Sequence, residues 1–353
     1  MTAEPRGTDS AGSALRVAVL GAGSWGTTFA KILADAATAS GVDRSIRLWG
    51  RRAAVVDQIN TEHRNEQYLK GIALPASITA STDVAEVLDG ADLVVLAVPA
   101  QTLRPQLREW KHLIGHGALV VSLMKGLELH SDARMSEVIR EELALPAERV
   151  AVVSGPNLAM EIAREEPTAS VVACSDAAAA GWVARSCTAP YFRPYTTADV
   201  VGVEIGGIVK NIIALAVGIC EGKQMGDNTK ASVITRGLAE TSRLTLALGG
   251  EARTMAGLAG LGDLVATCSS ALSRNHTAGR LLGTGLSLDQ VTAEMTQTAE
   301  GIKSAQAVHE LAGKLGVEMP ITAAVVAVLA GKLSVDELGP LLLSRDLKSE
   351  GDY

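Results

Sequence analysis

Between Leu15 and Thr197, short β-branched runs alternate with longer stretches whose apolar residues recur at three- and four-residue intervals. The runs RVAVLG (16–21), SIRLWG (45–50), ADLVVLAV (91–98), ALVVSL (118–123), VAVVSG (150–155) and TASVVACS (168–175) read as strands. Their near-continuous apolar character suits strands covered on both faces. YFRPYTT (191–197) reads as an antiparallel or edge addition, because Pro194 removes a ladder donor. After Asp199 the strand signal stops. GIVKNIIALAVGICEG, ASVITRGLAETSRLTLALGG, MAGLAGLGDLVATC, SLDQVTAEM and SAQAVHELAGKLG then read as helices separated by glycine turns. The pattern predicts an α/β chain: an N-terminal Rossmann-type doubly wound sheet over 15–199, then an all-helical C-terminal domain over 200–353. Residues 1–14 are polar and read as a disordered tail.

The bulk numbers narrow the function classes. At 353 residues the chain is long enough for two domains, and with 47% hydrophobic and 20% charged residues its composition is globular. A formal charge of -7 argues against a nucleic-acid partner, which needs a basic surface to release counterions. Cys174, Cys187, Cys220 and Cys268 lie far apart without a CxxC pair, so they read as buried thiols in a cytoplasmic protein. The six histidines have no metal-like spacing, and no metal is expected. The N-terminus lacks an apolar signal core, and no uninterrupted apolar run reaches the ~18 residues of a membrane span. The longest run, Ile205 to Cys220, is broken by Lys210 and Asn211.

GAGSWG carries the first chemistry. Gly21, Gly23 and Gly26 leave a strand and enter a helix. In that setting the first makes the tight turn, the second admits a pyrophosphate to the backbone, and the third lets helix and strand pack closely. The helix N-terminus offers free N-H groups to the anion. An ordinary strand-to-helix turn would need glycine too. The acidic residue expected about twenty residues later, for the ribose hydroxyls of NAD, is missing. No Asp or Glu occurs between Ile46 and Val56, and Arg51 and Arg52 stand there instead. Guanidinium groups suit a 2′-phosphate, so NADPH is expected, with NADH the alternative. Two solvated arginines opening a helix are the plainer reading.

Three further segments fall where ligands meet the ends of parallel strands. LAVPAQ (96–101) ends a strand at Pro99, SLMKGLE (122–128) puts Lys125 just past a strand end, and SGPNLAMEIA (154–163) is a strand-to-helix turn. Asn157 in that turn either caps the helix or bonds a substrate. In the helical half, GGIVKNIIALAVGI is apolar on nearly every side, which carries Lys210 inward. A buried lysine is a natural proton donor unless a carboxylate such as Glu204 or Asp263 pairs it for structure alone. Ser273, Arg274 and Asn275 supply a hydroxyl, a guanidinium and an amide, suited to a phosphate or polyol, or else a Ser-capped helix start.

GAGSWGTTFA, LWGRR, Asn60 with YLKGIALP, LAVPAQ, SLMKGLE, SGPNLAMEIA, GGIVKNIIALAVGI, GLAGLGDL, SRNHTAG and TAEGI together resemble the bacterial NAD(P)-dependent glycerol-3-phosphate dehydrogenases. The resemblance runs from about Arg16 to Leu338, ten motifs in order. It implies reversible reduction of dihydroxyacetone phosphate to sn-glycerol 3-phosphate, feeding glycerophospholipid synthesis. By position it makes Ser24, Trp25, Arg51, Arg52, Lys125, Ala159, Arg274, Thr298 and Glu300 cofactor contacts, beside Gly21, Gly23 and Gly26. It likewise makes Lys125, Gly155, Asn157, Lys210, Asp263, Ser273, Arg274 and Asn275 substrate contacts, with Lys210 and Lys125 catalytic. Some relatives carry Ser or Thr where this chain has Asn157. A homodimer is the expected assembly, given the apolar helical half. Two other readings stay open: a β-hydroxyacid dehydrogenase-like reductase, and a non-catalytic NADPH-binding sensor.

Overall fold

The structure is a computed structural model that describes residues 15–295 and 299–338; the expected 1–14 tail and Thr298 lie outside them. The chain divides into two compact units. One takes the chain up to Met124 together with Arg134–Val200, and the other takes Lys125–Ala133 and the chain from Val201 onward.

The first unit is built on an eight-stranded sheet of β1 (Leu15–Leu20), β2 (Arg44–Trp49), β3 (Ile78–Ser81), β4 (Leu93–Leu96), β5 (Leu119–Ser122), β6 (Val150–Ser154), β7 (Thr168–Ala173) and β8 (Phe192–Thr197). Their order is β3-β2-β1-β4-β5-β6-β7-β8. Val17 stands beside Ile46 on one side and Leu93 on the other, both in parallel register. The chain therefore reverses its direction of travel across the sheet between β1 and β4, and the crevice beyond their carboxyl ends is where such folds bind ligands. Two details differ from the sequence pattern. β8 is an edge strand but pairs parallel to β7, and the antiparallel step falls between β6 and β7. β3 has only four residues, ITAS, too short and too polar to stand out from a loop.

Helix α1 (Ser24–Ser40) follows β1, and α2 (Ala53–Glu62) follows β2. Phe29, Ile32 and Leu33 of α1 are fully buried against Val17, Val19, Ile46 and Leu48. Each such side chain contributes about 1.5–3 kcal/mol over exposure. Lys31 on the same helix is also buried and bonds Asp35 (2.7 Å) and Glu165 (2.8 Å).

The second unit is helical and is organised around Val200–Gly222, whose residues Gly202 to Cys220 are all buried. By length and composition alone that helix would cross a bilayer, despite Glu204 and Lys210. It lies instead in the core of this unit, packed with Leu244, Leu264, Ala278 and Val308 of the surrounding helices. A helix apolar all round needs such enclosure. Two more helices belong to this unit: Arg274–Gly283, the Ser-capped helix of the plainer reading, and Pro320–Leu329, which the sequence pattern did not separate. The buried Glu240 carboxylate accepts the Ile321 and Thr322 N-H groups (2.6 and 3.2 Å), closing the start of the latter.

Candidate active site

In the first unit the glycine loop lies at the β1/β4 reversal. Gly21 has φ of 131°, and a Cβ there would sit 2.5 Å from the Ala97 carbonyl oxygen at the end of β4. A Cβ on Gly26 would lie 2.0 Å from the Gly21 oxygen. Only glycine lets turn, helix and strand come this close. Around Gly23, by contrast, a Cβ would meet nothing within 4 Å, so its backbone is approachable. Gly23 is the N-cap of α1, no side chain caps the helix, and no acidic residue occupies its first turn. The first N-H groups of a helix need acceptors, and among the described residues no side chain caps them.

Polar atoms nearby are also left over. Trp25 packs edge-on against Phe29 at 5.7 Å, yet its buried Nε1 has no hydrogen-bond partner among the described residues. Ser154 Oγ and both side-chain polar atoms of Asn157 are likewise buried and unpartnered. Gly155 turns with φ of 130°, and Ala159 begins the Ala159–Ala163 helix, which Thr28 of α1 ties in by donating to the Ala159 oxygen (3.2 Å). Arg51 and Arg52 are exposed, and among the described residues no carboxylate pairs with either. An uncapped helix start, orphaned polar atoms and two guanidiniums without a carboxylate partner fit a dinucleotide carrying phosphates.

The second unit holds a different kind of site. Asp263 is 1% exposed and stands between two ammonium groups: Lys125 Nζ is 2.5 Å from its Oδ2, and Lys210 Nζ is 2.9 Å from its Oδ1. Lys210 also donates to Thr267 Oγ1 (2.6 Å), which in turn donates to Asp263 Oδ1 (3.2 Å). The local fold explains the meeting. Asp263 opens the Asp263–Ser269 helix directly after a π-turn, Leu258–Gly262, a wide turn often found at functional sites. A Cβ on Gly206 would sit 2.4 Å from the Ala259 oxygen of that turn, so only a glycine lets the Val200–Gly222 helix lie against it. Lys210, one turn past Gly206, then reaches Asp263.

Burial drives the Lys125 ammonium down to about 8; Asp263 opposes that shift without cancelling it, and Lys210 adds a smaller repulsion. Burial alone would raise Asp263, but the two lysines together hold its carboxyl below the ordinary range. The cluster thus carries two potential cations around one fixed anion. Burial raises Glu300, at the start of the Glu300–Lys314 helix, against the pull of Arg274, Lys210 and Lys125.

The remaining sequence candidates divide their roles. Ser273 caps the Arg274–Gly283 helix by accepting from the His276 N-H (3.2 Å), as the plainer reading had it. Asn275 is buried and bridges elements: its Nδ2 donates to Asn211 Oδ1 (2.9 Å), and its Oδ1 accepts from the Gly301 N-H (2.8 Å). Arg274 is exposed at the start of the same helix. Lys210 is therefore paired, not the partnerless lysine that the sequence allowed. Thr267 escaped sequence reasoning, although its place one turn after Asp263 was a usable signal.

Two family models match the chain: the NAD-dependent glycerol-3-phosphate dehydrogenase N-terminus over residues 16–180 and the corresponding C-terminus over 199–339. The chain is 57% identical over 335 residues to a glycerol-3-phosphate dehydrogenase, NAD(P)+, of Thermobifida fusca, covering 95% of this chain and 98% of the relative. A similarly described protein of Corynebacterium jeikeium is 54% identical, over 95% and 100% of the two chains. Among solved structures, glycerol-3-phosphate dehydrogenase from Coxiella burnetii is 36% identical and superposes with a TM-score of 0.87, over 94% of this chain and 99% of that one.

Proposed function

This chain belongs to the NAD-dependent glycerol-3-phosphate dehydrogenase family of oxidoreductases, and from that premise we propose that it reduces dihydroxyacetone phosphate to sn-glycerol 3-phosphate with NADPH, reversibly. The observation that carries the reading is the buried Lys125-Asp263-Lys210 cluster. Two ammonium groups sharing one carboxylate leave a net positive charge where water is scarce, a setting that favours an anionic, phosphorylated ketone over a neutral one.

A nicotinamide held there would supply hydride to the C2 carbonyl. The chain's own groups handle charge and protons. Lys210, held by Asp263 and Thr267, gives a proton to the oxygen as it becomes an alkoxide. Lys125 polarises the carbonyl and steadies the developing negative charge. Arg274 and Asn275 take the phosphate, fixing the reacting carbon through binding energy remote from it. In the first unit Gly21, Gly23, Gly26, Ser24 and Trp25 hold the cofactor's pyrophosphate end, and Arg51 and Arg52 its 2′-phosphate. Gly155, Asn157 and Ala159 complete the contacts in that unit. The product suits glycerophospholipid synthesis in the cytoplasm by a homodimer. The test is oxidation of NADPH and of NADH with dihydroxyacetone phosphate, dihydroxyacetone and hydroxypyruvate. Turnover is expected with the phosphate ester and a preference for NADPH; absence of turnover with that ester overturns the reading.

A further inference from the structure

All but the final proline of YLKGIALP (68–75) lies in a loop, residues 63–74, that closes on itself through an antiparallel bridge between Arg64 and Ala73 and a bond from the Leu74 N-H to the His63 oxygen (2.8 Å). Asn65, fully buried, fastens this loop to the glycine turn: its Nδ2 donates to the Ala22 oxygen (3.1 Å) and to Thr27 Oγ1 (2.9 Å). The Asn65 carbonyl in turn accepts the N-H groups of Tyr68 (3.1 Å) and Leu69 (2.8 Å), and Leu69 is buried. The Tyr68 backbone is thereby tied to the same turn that carries Gly21 and Gly23.

From that fixed point Tyr68 meets Arg52. Arg52 Nη2 donates to Tyr68 Oη at 2.7 Å, and the guanidinium carbon lies 5.5 Å from the ring centroid. The Arg52 backbone is fixed as well, because its carbonyl accepts the Val55 and Val56 N-H groups as the N-cap of α2. An exposed arginine otherwise samples many rotamers, and ordering it on a phosphate costs conformational entropy. The bond to Tyr68 uses one of its five N-H donors and leaves the others for an anion.

We propose that Tyr68 is a positioning and specificity-determining residue: it holds the Arg52 guanidinium in one rotamer, ready for the 2′-phosphate that distinguishes NADPH from NADH. The inference rests on the reading that Arg52 meets that phosphate. It is tested by calorimetric titration of the full chain with 2′,5′-ADP and, separately, 5′-AMP, which differ only by the 2′-phosphate. Tyr68→Leu is expected to weaken 2′,5′-ADP roughly fivefold, the factor of one hydrogen bond, and 5′-AMP much less. Tyr68→Phe, which loses only the hydroxyl and keeps the ring, is expected to fall between Tyr68→Leu and the parent. The ratio of kcat/KM for NADPH to that for NADH should fall in the same order. Equal weakening of both nucleotides, or none, overturns the proposal and makes Tyr68 scaffold. Arg52→Met separates the two levels: loss of the 2′,5′-ADP preference sustains the underlying reading. An unchanged preference in Arg52→Met overturns that reading and the Tyr68 proposal with it.

Discussion

Two buried lysine sites in this molecule have opposite electrostatics. Lys31, 5% exposed in α1, has two carboxylates of its own, Asp35 and Glu165, and a hydroxyl from Tyr191 at 3.5 Å. Burial pulls its ammonium down, but the paired carboxylates more than compensate and hold it above the ordinary lysine range. In the second unit the ratio is inverted: Lys125 and Lys210 share Asp263, and Lys125 falls to about 8. Burial lowers both ammonium groups; at Lys31 two carboxylates outweigh it, and at Lys125 the one carboxylate shared with Lys210 does not. The first arrangement suits structure and the second suits proton chemistry.

The largest effect is expected at the shared carboxylate. Asp263→Asn leaves two buried ammonium groups without an anion, so kcat should fall on the order of 10^3-fold. Stability should drop by about 3–5 kcal/mol in denaturant unfolding, because the remaining charges are uncompensated. Turnover near the parent's would break the contrast. Next comes Lys125→Met, expected to lower kcat/KM about 10^2-fold by removing one stabiliser of the developing alkoxide. The parent enzyme adds a sign. Because Lys125 loses its proton as pH rises through about 8, kcat/KM for reduction should decline above that pH and hold below it. A profile flat to pH 10 would mean that Lys125 stays charged or does not act. The smallest effect on catalysis belongs to Lys31. Lys31→Met should cost about 1–3 kcal/mol, tempered because Glu165 is 61% exposed, and leave kcat within about twofold. A large loss of kcat there would erase the distinction between the two lysine sites.

The same contrast explains what was legible in the sequence. GAGSWG announces itself because its function resides in backbone geometry, which three glycines within six residues encode locally. The β4, β5 and β6 segments are equally plain, since strands covered on both faces must be apolar nearly throughout, and β1, β2 and β7 keep enough of that character to be read. β3 and the pairing direction of β8 were not, because ITAS has no pattern of its own and strand direction is decided by neighbours in the sheet. The lysine cluster is harder still. Lys125 and Asp263 are 138 positions apart, and only the close approach at Gly206 and the π-turn before Asp263 brings Lys210 to its partner. Residue types there were readable as candidates, and the ratio of charges was not. Asn275 and Ser273 carry a similar lesson: polar residues in a promising run are also bonded within the fold, one as a bridge and one as a cap.

The account rests most heavily on Lys210 as proton donor. The most direct measurement pairs steady-state turnover of dihydroxyacetone phosphate by Lys210→Met with fluorescence titration of the same variant by NADPH. The account predicts a fall in kcat of about 10^2-fold or more with the NADPH dissociation constant within about twofold of the parent's. A variant that turns over dihydroxyacetone phosphate at the parent's rate would contradict it.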